Sequence, residues 1–172
     1  MSEFKEYPTQ QEIKAQLYYH PESGVFRWRT PIAIRVKPWD VAGTYRKNGY
    51  VLISLGDTKF YAHRLAWIYM TGREPDQYID HIDGNKHNNS WSNLRAATKK
   101  QNGENQKLRR TSVSGFRGVV FNRDCRLPWR AQVRHGGSYI YLGSFATAEE
   151  AGAVAMAKRA ELYTHYTGRE QT

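Results

Sequence analysis

An aspartate followed directly by a histidine, at positions 80 and 81, is the part of the sequence best suited to chemistry. Asn93 and Asn102 follow at a distance that one hairpin and one helix can span. A carboxylate can hold a cation, and a neutral imidazole with an ordinary pKa of about 6.5 can take a proton from water. The pattern therefore indicates hydrolysis that is assisted by a metal ion.

The elements around these residues predict how they are positioned. Strand 78–82, the turn at 83–85 and a return strand at 93–97 precede a helix at 99–107. When such a helix folds across the hairpin, Asp80 and Asn102 converge from opposite sides. Two hard oxygen donors with open positions for water suit magnesium or manganese, whereas zinc favours nitrogen and sulfur.

His81 points away from Asp80 because side chains alternate along a strand. In that position it could act as the general base, and the amide of Asn93 could bind backbone across the loop and keep His81 oriented. Basic side chains nearby are candidates for contacts to the flanking phosphates, namely Arg95, Lys86 and Lys99.

This stretch resembles the phage-type HNH homing endonucleases. The residues that carry the resemblance are 63–67 (HRLAW), 79–86 (IDHIDGNK), 88–89, 93–95, 98, 102 and 105. The resemblance implies a ββα-metal fold and hydrolysis of DNA phosphodiesters. It also implies that His81 is the general base, that Asp80 and Asn102 bind the metal, and that Asn93 orients the His81 loop.

Departures and flanking residues refine that expectation. The family often has histidine where this chain has Asn102, and the amide favours magnesium or manganese over zinc. Asn105 is expected on the same helix face as a supporting residue. His63 is expected to pack, with a phosphate contact as the alternative.

The C-terminal third has its own pattern. Strands are predicted at 118–122, 129–134 and 138–142, and a helix at 148–163 starts with a capping box formed by Thr147 and Glu150. Alternation places polar side chains on one face of the sheet and apolar side chains on the other, which faces the helix. The polar face carries Arg130, Gln132, Arg134, Tyr139 and Tyr141.

The same third resembles the Apetala-type, ethylene-response-factor DNA-binding domain, through residues 114–119, 129–133, 141–145 and 148–151. The resemblance implies a three-stranded antiparallel sheet in the major groove with a helix behind it. Arg117, Arg130 and Arg134 would reach phosphates or guanine edges, Gln132 would read adenine, and Tyr139 and Tyr141 would stack or donate. Val120 and Asn122 stand where the plant family has arginines, so the plant target sequence is not carried over.

The expected fold class is α+β: a ββα-metal nuclease core plus a three-stranded antiparallel sheet packed on one C-terminal helix. The predicted domains are an α+β supporting region at 1–60, the nuclease core at 61–107, a basic linker at 108–113 and the DNA-binding domain at 114–170. The sequence leaves open whether the first region also contacts DNA.

Composition limits the partners. A formal net charge of +10 favours polyanions, and the expected one is double-stranded DNA. Cys125 is the one cysteine, which excludes an internal disulfide and a zinc site built from cysteines. No apolar run is as long as a membrane span and residues 1–13 lack a signal-like stretch, so we expect no membrane partner and a reducing, cytoplasmic setting, in a bacterial host if the gene is phage-borne.

The sequence thus predicts a metal-dependent DNA endonuclease of the phage homing or free-standing type, which nicks one strand or cuts both. We expect a monomer, for which one site per chain favours nicking. The alternative is a non-enzymatic DNA-binding protein with an inactive HNH fold. RNA as the substrate suits the charge but fits a major-groove sheet less well, because that groove of RNA is narrow.

Overall fold

The structure is a computed structural model that describes residues 6–30, 33–104 and 112–168. The chain divides into two compact units, Met1–Lys99 and Lys100–Thr172, and each is described by itself. The sequence instead placed helix 99–107 in the nuclease core and a linker at 108–113. Those domain bounds stay a prediction, and residues 105–111 lie outside the described part.

The N-terminal unit begins with a helix and two small sheets. A capping box between Thr9 and Glu12, as the sequence predicts, starts the first helix. The first sheet has the order β1-β2-β3 and the second β4-β5-β6, both antiparallel between neighbours. The elements are α1 (Gln10–Gln16), β1 (Leu17–His20), β2 (Val25–Trp28), β3 (Val41–Ala42), β4 (Thr44–Tyr45), β5 (Val51–Leu55) and β6 (Thr58–Tyr61).

The first helix ends earlier than the sequence predicts. The capping box and the helical spacing of Ile13 and Leu17 predict a helix from about residue 10 to 18, but Leu17 already has extended backbone and pairs with Trp28 of β2. This correction has a tertiary cause, because Leu17 and Tyr19 both bury their side chains in the core while they belong to β1.

A second helix, α2 (Ala62–Thr71), follows β6 directly. Gly72 ends it in the left-handed conformation with φ 78°, which is the C-terminal cap expected from the sequence. Gln10 donates to the carbonyl of Tyr69 over 2.8 Å and so joins the two helices. The helices and sheets enclose one core, made of Ile13, Leu17, Tyr19, Phe26, Trp28, Ala42, Ile53, Leu55, Phe60, Ala62, Leu65, Ala66, Ile68, Ile79 and Leu94.

The unit closes with a hairpin of β7 (Tyr78–His81) and β8 (Leu94–Ala97). A long loop joins the two strands and ends in a 3-10 turn at Trp91–Asn93. Ile79 and Leu94 belong to the core just described, so burial fixes which way each strand faces. The hairpin thereby holds positions 80 and 81 on a rigid support.

The C-terminal unit contains a short helix, a three-stranded sheet and a long helix. Except for its first residue, α3 (Lys99–Glu104) lies in this unit, followed by β9 (Val119–Phe121), β10 (Trp129–His135), β11 (Ser138–Phe145) and α4 (Ala148–Leu162). The sheet order is β11-β10-β9, with a register shift between Ala131 and Gln132. Its core joins sheet and helix through Val119, Ala131, Val133, Ala151 and Ala155.

The start of α4 is the capping box of Thr147 and Glu150 that the sequence predicts. Alanines at 151 and 155 are fully buried, so the helix lies close against the sheet. Among residues 6–30, 33–104 and 112–168, no helix has the length and apolar character needed to cross a membrane.

Candidate active site

The hairpin buries both residues of the Asp-His pair. Asp80 is 7% exposed and His81 is 4% exposed. Register places Asp80 opposite Arg95 and His81 opposite Leu94. Burial of adjacent residues on one strand means that both sides of β7 are covered at this point.

Asp80 pairs with Arg95 across the two strands. The Nε and Nη2 atoms of Arg95 lie 3.0 and 2.8 Å from Oδ2 of Asp80. Opposite charges in directly facing cross-strand positions attract, and burial strengthens that attraction. The sequence predicted Arg95 as a phosphate contact, whereas the structure shows its guanidinium on the predicted metal ligand.

Asn89 binds the ring of His81. Nε2 of His81 lies 3.1 Å from Oδ1 of Asn89, and Nδ2 of Asn89 donates to the carbonyl of His87 over 3.1 Å. The second bond fixes which end of the amide faces the histidine. The contact therefore orients the imidazole with Nε2 toward an acceptor oxygen.

Burial lowers the pKa of His81, and the acceptor of Asn89 and the charges of Asp83 and Asp80 oppose that shift without cancelling it. The imidazole is therefore neutral at pH 7 and able to accept a proton. This protonation state is the one that a general base needs.

Asn93 holds together the loop that follows His81. Its Oδ1 accepts from the backbone N–H of Asp83 over 2.8 Å, and its Nδ2 donates to Oδ1 of Asp83 and to the carbonyl of Asn88. The backbone carbonyl of Asn93 also accepts from Ile82. Asn93 thus fixes the loop that carries Asn89, and its role in orienting His81 stays a prediction.

The first sheet supports the same loop from behind. The hydroxyl of Tyr19 donates to the carbonyl of Asn89 over 2.7 Å. Gly24 has φ +71°, and a Cβ there would lie 2.2 Å from backbone atoms of Asn89 and Ser90. Residues 17–28 thus support this loop, which is the kind of role that the sequence predicted for region 1–60.

Aromatic rings surround His81 on another side. The ring centroids of His63 and His81 lie 5.2 Å apart, with an angle of 78° between the ring planes. The ring centroids of Tyr50 and Tyr61 each lie 5.4 Å from that of His63. Burial, then the neighbouring His81, lowers the pKa of His63 to about 3. His63 therefore packs as a neutral ring, the first of the two roles expected for it.

The sequence profile described as HNH endonuclease matches residues 60–104, which contain Asp80, His81, Asn93 and Asn102. A protein of Acanthamoeba polyphaga mimivirus named as an uncharacterized HNH endonuclease is 31% identical over 140 residues, which are 77% of this chain and 71% of that protein. The chain belongs to the HNH endonuclease family.

Other relatives share shorter stretches. Protein 3.8 of Escherichia phage T7 is 38% identical over 76 residues, which are 44% of this chain and 62% of that protein. DNA endonuclease I-HmuI of Bacillus phage SP01 is 46% identical over 71 residues, 38% of this chain and 40% of that enzyme. The chain thus matches less than two thirds of the length of either protein.

A solved structure titled "DNA binding and cleavage by the HNH homing endonuclease I-HmuI" aligns with a TM-score of 0.43 and 30% identity. The alignment covers 58% of this chain and 56% of that one.

Other residues predicted for the nuclease site belong to α3 and to the loop after β7. Asn102 lies half-buried on α3, in the C-terminal unit, so its convergence with Asp80 stays a prediction from the sequence. Lys99 is exposed at the start of α3, and Asn105 lies outside the described residues. Lys86 donates to the carbonyl of Asn48 and its ammonium lies 4.4 Å from the ring centroid of Tyr50.

The outer face of the C-terminal sheet collects cations and aromatic rings. Gln132 faces Tyr141 and Arg134 faces Tyr139 in the register of β10 and β11. The guanidinium of Arg130 lies 5.0 Å from the ring centroid of Tyr141, and that of Arg134 lies 5.8 Å from the centroid of Tyr139. Both tyrosines are more than half exposed, so this face offers stacking surface and positive charge together.

Arg117 binds backbone carbonyls within the C-terminal unit. Its guanidinium donates to the carbonyls of Gly103 and Glu104 of α3. The sequence predicts Arg117 as a DNA contact, and the C-terminal DNA surface that we propose does not include it. Asn89 is the opposite case, since the sequence assigned it no role and only its contact with His81 reveals one.

Proposed function

We propose that the chain is a divalent-metal-dependent endonuclease that hydrolyses phosphodiester bonds of double-stranded DNA. The single observation that carries the proposal is the neutral imidazole of His81, whose Nε2 is engaged by Asn89. A neutral imidazole at this position can take a proton from the attacking water. The oxygen of that water then bonds to phosphorus while the bond to the 3′ oxygen breaks.

The donor set fits magnesium or manganese. Asp80 supplies a carboxylate and Asn102 an amide oxygen, which are hard ligands that leave positions for water and phosphate. When bound, the cation neutralises charge on the phosphate and on the departing 3′ oxygen. Because Arg95 pairs with Oδ2 of Asp80, this carboxylate would bind the guanidinium and the ion together.

The described residues contain no group of three or more His, Cys, Asp or Glu side chains that could hold a metal. A site made of one carboxylate and one amide, completed by water, does not require such a group.

Positioning is the task of the neighbouring asparagines. Asn89 orients the ring of His81, and Asn93 fixes the loop from which Asn89 projects. A base held in one orientation by a second residue is the general arrangement of an activated proton acceptor. Arg95, Lys86 and Lys99 remain candidates for the flanking phosphates, with Arg95 linking such a contact to Asp80.

For DNA binding, we propose that residues 114–168 form an Apetala-type domain whose outer face enters the major groove. A three-stranded sheet of this kind presents its side chains to base edges and phosphates at once. The contacting side chains would be Arg130, Gln132, Arg134, Tyr139 and Tyr141. Two weak binding regions on one chain raise the local concentration of the cleavage site, which gives useful selectivity.

The relatives suggest the setting. Two of the three named above are phage proteins, and we propose that the chain acts as a monomer in the cytoplasm of a bacterial host. A monomer with one active site would nick one strand per binding event.

A second candidate is a non-enzymatic DNA-binding protein. The observation that favours it is the 4% exposure of His81, together with the engagement of Asp80 by Arg95. Under this alternative the hairpin is a structural relic, and DNA binding by the C-terminal sheet is the whole activity.

An assay with supercoiled plasmid DNA distinguishes the nuclease from the binding-only protein. In magnesium, the proposed nuclease converts it to open circles, or to linear product if two chains act together. A chelator stops the reaction, and excess magnesium or manganese restores it. Activity that persists undiminished in chelator contradicts the metal assignment, and intact supercoils under all conditions favour the binding-only candidate.

A further inference from the structure

Arg117 fastens the last described residues of α3. Its Nη1 donates to the carbonyl of Glu104 and its Nη2 to the carbonyl of Gly103, both over 2.9 Å. Hydrogen bonds from a charged donor are stronger than neutral ones, and the planar guanidinium presents its donors in a fixed geometry. Arg117 therefore holds the backbone of the two residues that follow Asn102.

Side chains of α3 make a second set of attachments. Glu104 is 5% exposed, and its Oε2 accepts from the backbone N–H of His165 over 3.3 Å and from Oγ1 of Thr164 over 3.5 Å. Gln101 donates to the same Thr164 hydroxyl over 3.4 Å. The segment that follows α4 therefore binds α3 directly.

Arg117 is itself anchored in the core of the C-terminal unit. Arg159 of α4 is 1% exposed, and its Nη1 donates to the carbonyl of Arg117 over 2.7 Å. The ring centroid of Tyr163 lies 5.9 Å from the Arg117 guanidinium, and the Tyr163 hydroxyl donates to the carbonyl of Arg134 on β10. A continuous set of contacts thus links α3, α4 and β10.

The backbone next to Arg117 shows how close this fit is. Gly118 has φ +77°, and a Cβ there would lie 2.2 Å from the carbonyl oxygen of Gln132 and 3.0 Å from Nη1 of Arg159. Only glycine lets this segment lie against β10. The position of the Arg117 backbone is consequently fixed by the sheet and by α4.

We propose that Arg117 is a positioning residue for Asn102, and that α3 and the outer face of the C-terminal sheet move as one body. This inference rests on the proposed function, in which Asn102 holds the cation and the sheet holds DNA. Asn102 directly precedes Gly103 and Glu104, so a shift of those two residues shifts its amide oxygen. The C-terminal region is then part of the nuclease and more than a tether to DNA.

The test uses the full chain and four variants: Arg117→Ala, Arg117→Lys, Glu104→Gln and the charge-matched control Arg126→Ala. Arg126 is exposed and has no part in the contacts above. Two quantities are measured: Mn²⁺ affinity by electron paramagnetic resonance in the presence of uncleavable duplex, and kcat and KM for plasmid nicking.

We expect Arg117→Ala to weaken Mn²⁺ binding and lower kcat by roughly 10- to 100-fold, the usual effect of losing a residue that supports a metal ligand. KM for DNA should equal that of Arg126→Ala. Arg117→Lys should recover part of the loss, because an ammonium donates to these carbonyls without the planar fork. Glu104→Gln should change both quantities in the same direction by a smaller factor.

Wild-type Mn²⁺ affinity and kcat in a folded Arg117→Ala variant overturn the inference. A raised KM with unchanged kcat also overturns it, since Arg117 would then be a DNA contact. If Arg117→Ala shows no cooperative thermal transition, Arg117→Lys and Glu104→Gln decide by the same two quantities. A wild-type chain that neither binds Mn²⁺ nor nicks DNA refutes the proposed function instead.

Discussion

Nε2 of His81 lies 3.1 Å from the amide oxygen of Asn89, and this contact orients the imidazole. The asparagine lies in the loop between β7 and β8, where Asn93 and Tyr19 hold the backbone. The imidazole is thus oriented by a residue eight positions away, which is itself fixed from two sides.

Replacing Asn89 with leucine removes the acceptor at similar volume. Without it the ring of His81 is less firmly oriented, so we expect kcat for plasmid nicking to fall by roughly 10- to 100-fold, in the range typical of residues that orient a functional group. KM should stay unchanged. The exposed Ser92→Ala serves as the control.

Asn89→Asp separates orientation from packing. It keeps an acceptor near Nε2 but adds a negative charge, which raises the pKa of His81. The acid limb of the pH–rate profile should therefore move to higher pH. An Asn89→Leu enzyme with the wild-type kcat contradicts the orienting role.

The pH dependence of stability should depend on His63. Its pKa of about 3 in the folded protein lies below the value of about 6.5 in the unfolded chain, so the unfolded chain binds more protons between these values. The free energy of unfolding should consequently fall as pH drops from 6.5 toward 3, by at most about 1.4 kcal/mol per pH unit from this group.

His63→Phe keeps the aromatic packing and removes the titration. Urea unfolding from pH 7 to pH 4 should show a shallower loss of stability for this variant than for the wild type. Parallel curves for the two proteins show that His63 is not buried as a neutral ring.

The C-terminal sheet should control DNA retention. Arg134→Ala is expected to weaken binding of duplex DNA and to reduce the slope of log affinity against log salt by about one, as for the loss of one phosphate contact. Tyr139→Ala is expected to weaken binding through lost stacking with little change in that slope.

Gel retention over a range of salt concentrations measures both effects, with Arg126→Ala as the control for net charge. If Arg134→Ala and Arg126→Ala behave alike, the outer face of β10 and β11 is not the DNA surface. Mg²⁺ is omitted so that cutting does not interfere.

Local signals were enough to predict several elements from the sequence. The capping boxes at Thr9 and Thr147 and the glycine cap at Gly72 act within one turn of a helix, so residue type alone indicates them. Strand β1 was missed because Leu17 continues the helical spacing of Ile13. Only pairing with β2 makes it a strand, and pairing is a tertiary property.

The candidate site was predictable in its residues and less so in its contacts. Order and spacing identified Asp80, His81 and Asn93. The pair of Arg95 with Asp80 follows from cross-strand register, which the sequence could have indicated once the hairpin was predicted. The contact of Asn89 with His81 could not be predicted from the sequence, because asparagine in a polar loop is most often a turn residue.

Long-range contacts were the least predictable feature. Arg117 belongs to a basic, strand-leading segment that suits a DNA contact equally well. Its bonds to the backbone of α3 depend on α3 and α4 meeting at the same place, which no local pattern encodes.

The central claim is that the neutral imidazole of His81 takes the proton of the attacking water. The most direct measurement compares His81→Ala with the wild type in conversion of supercoiled plasmid to open circles with magnesium, alongside retention of the same DNA in a gel. The account predicts a rate lower by roughly 10²- to 10⁴-fold, the usual contribution of a general base, with retention unchanged. Cutting by His81→Ala at the wild-type rate contradicts it.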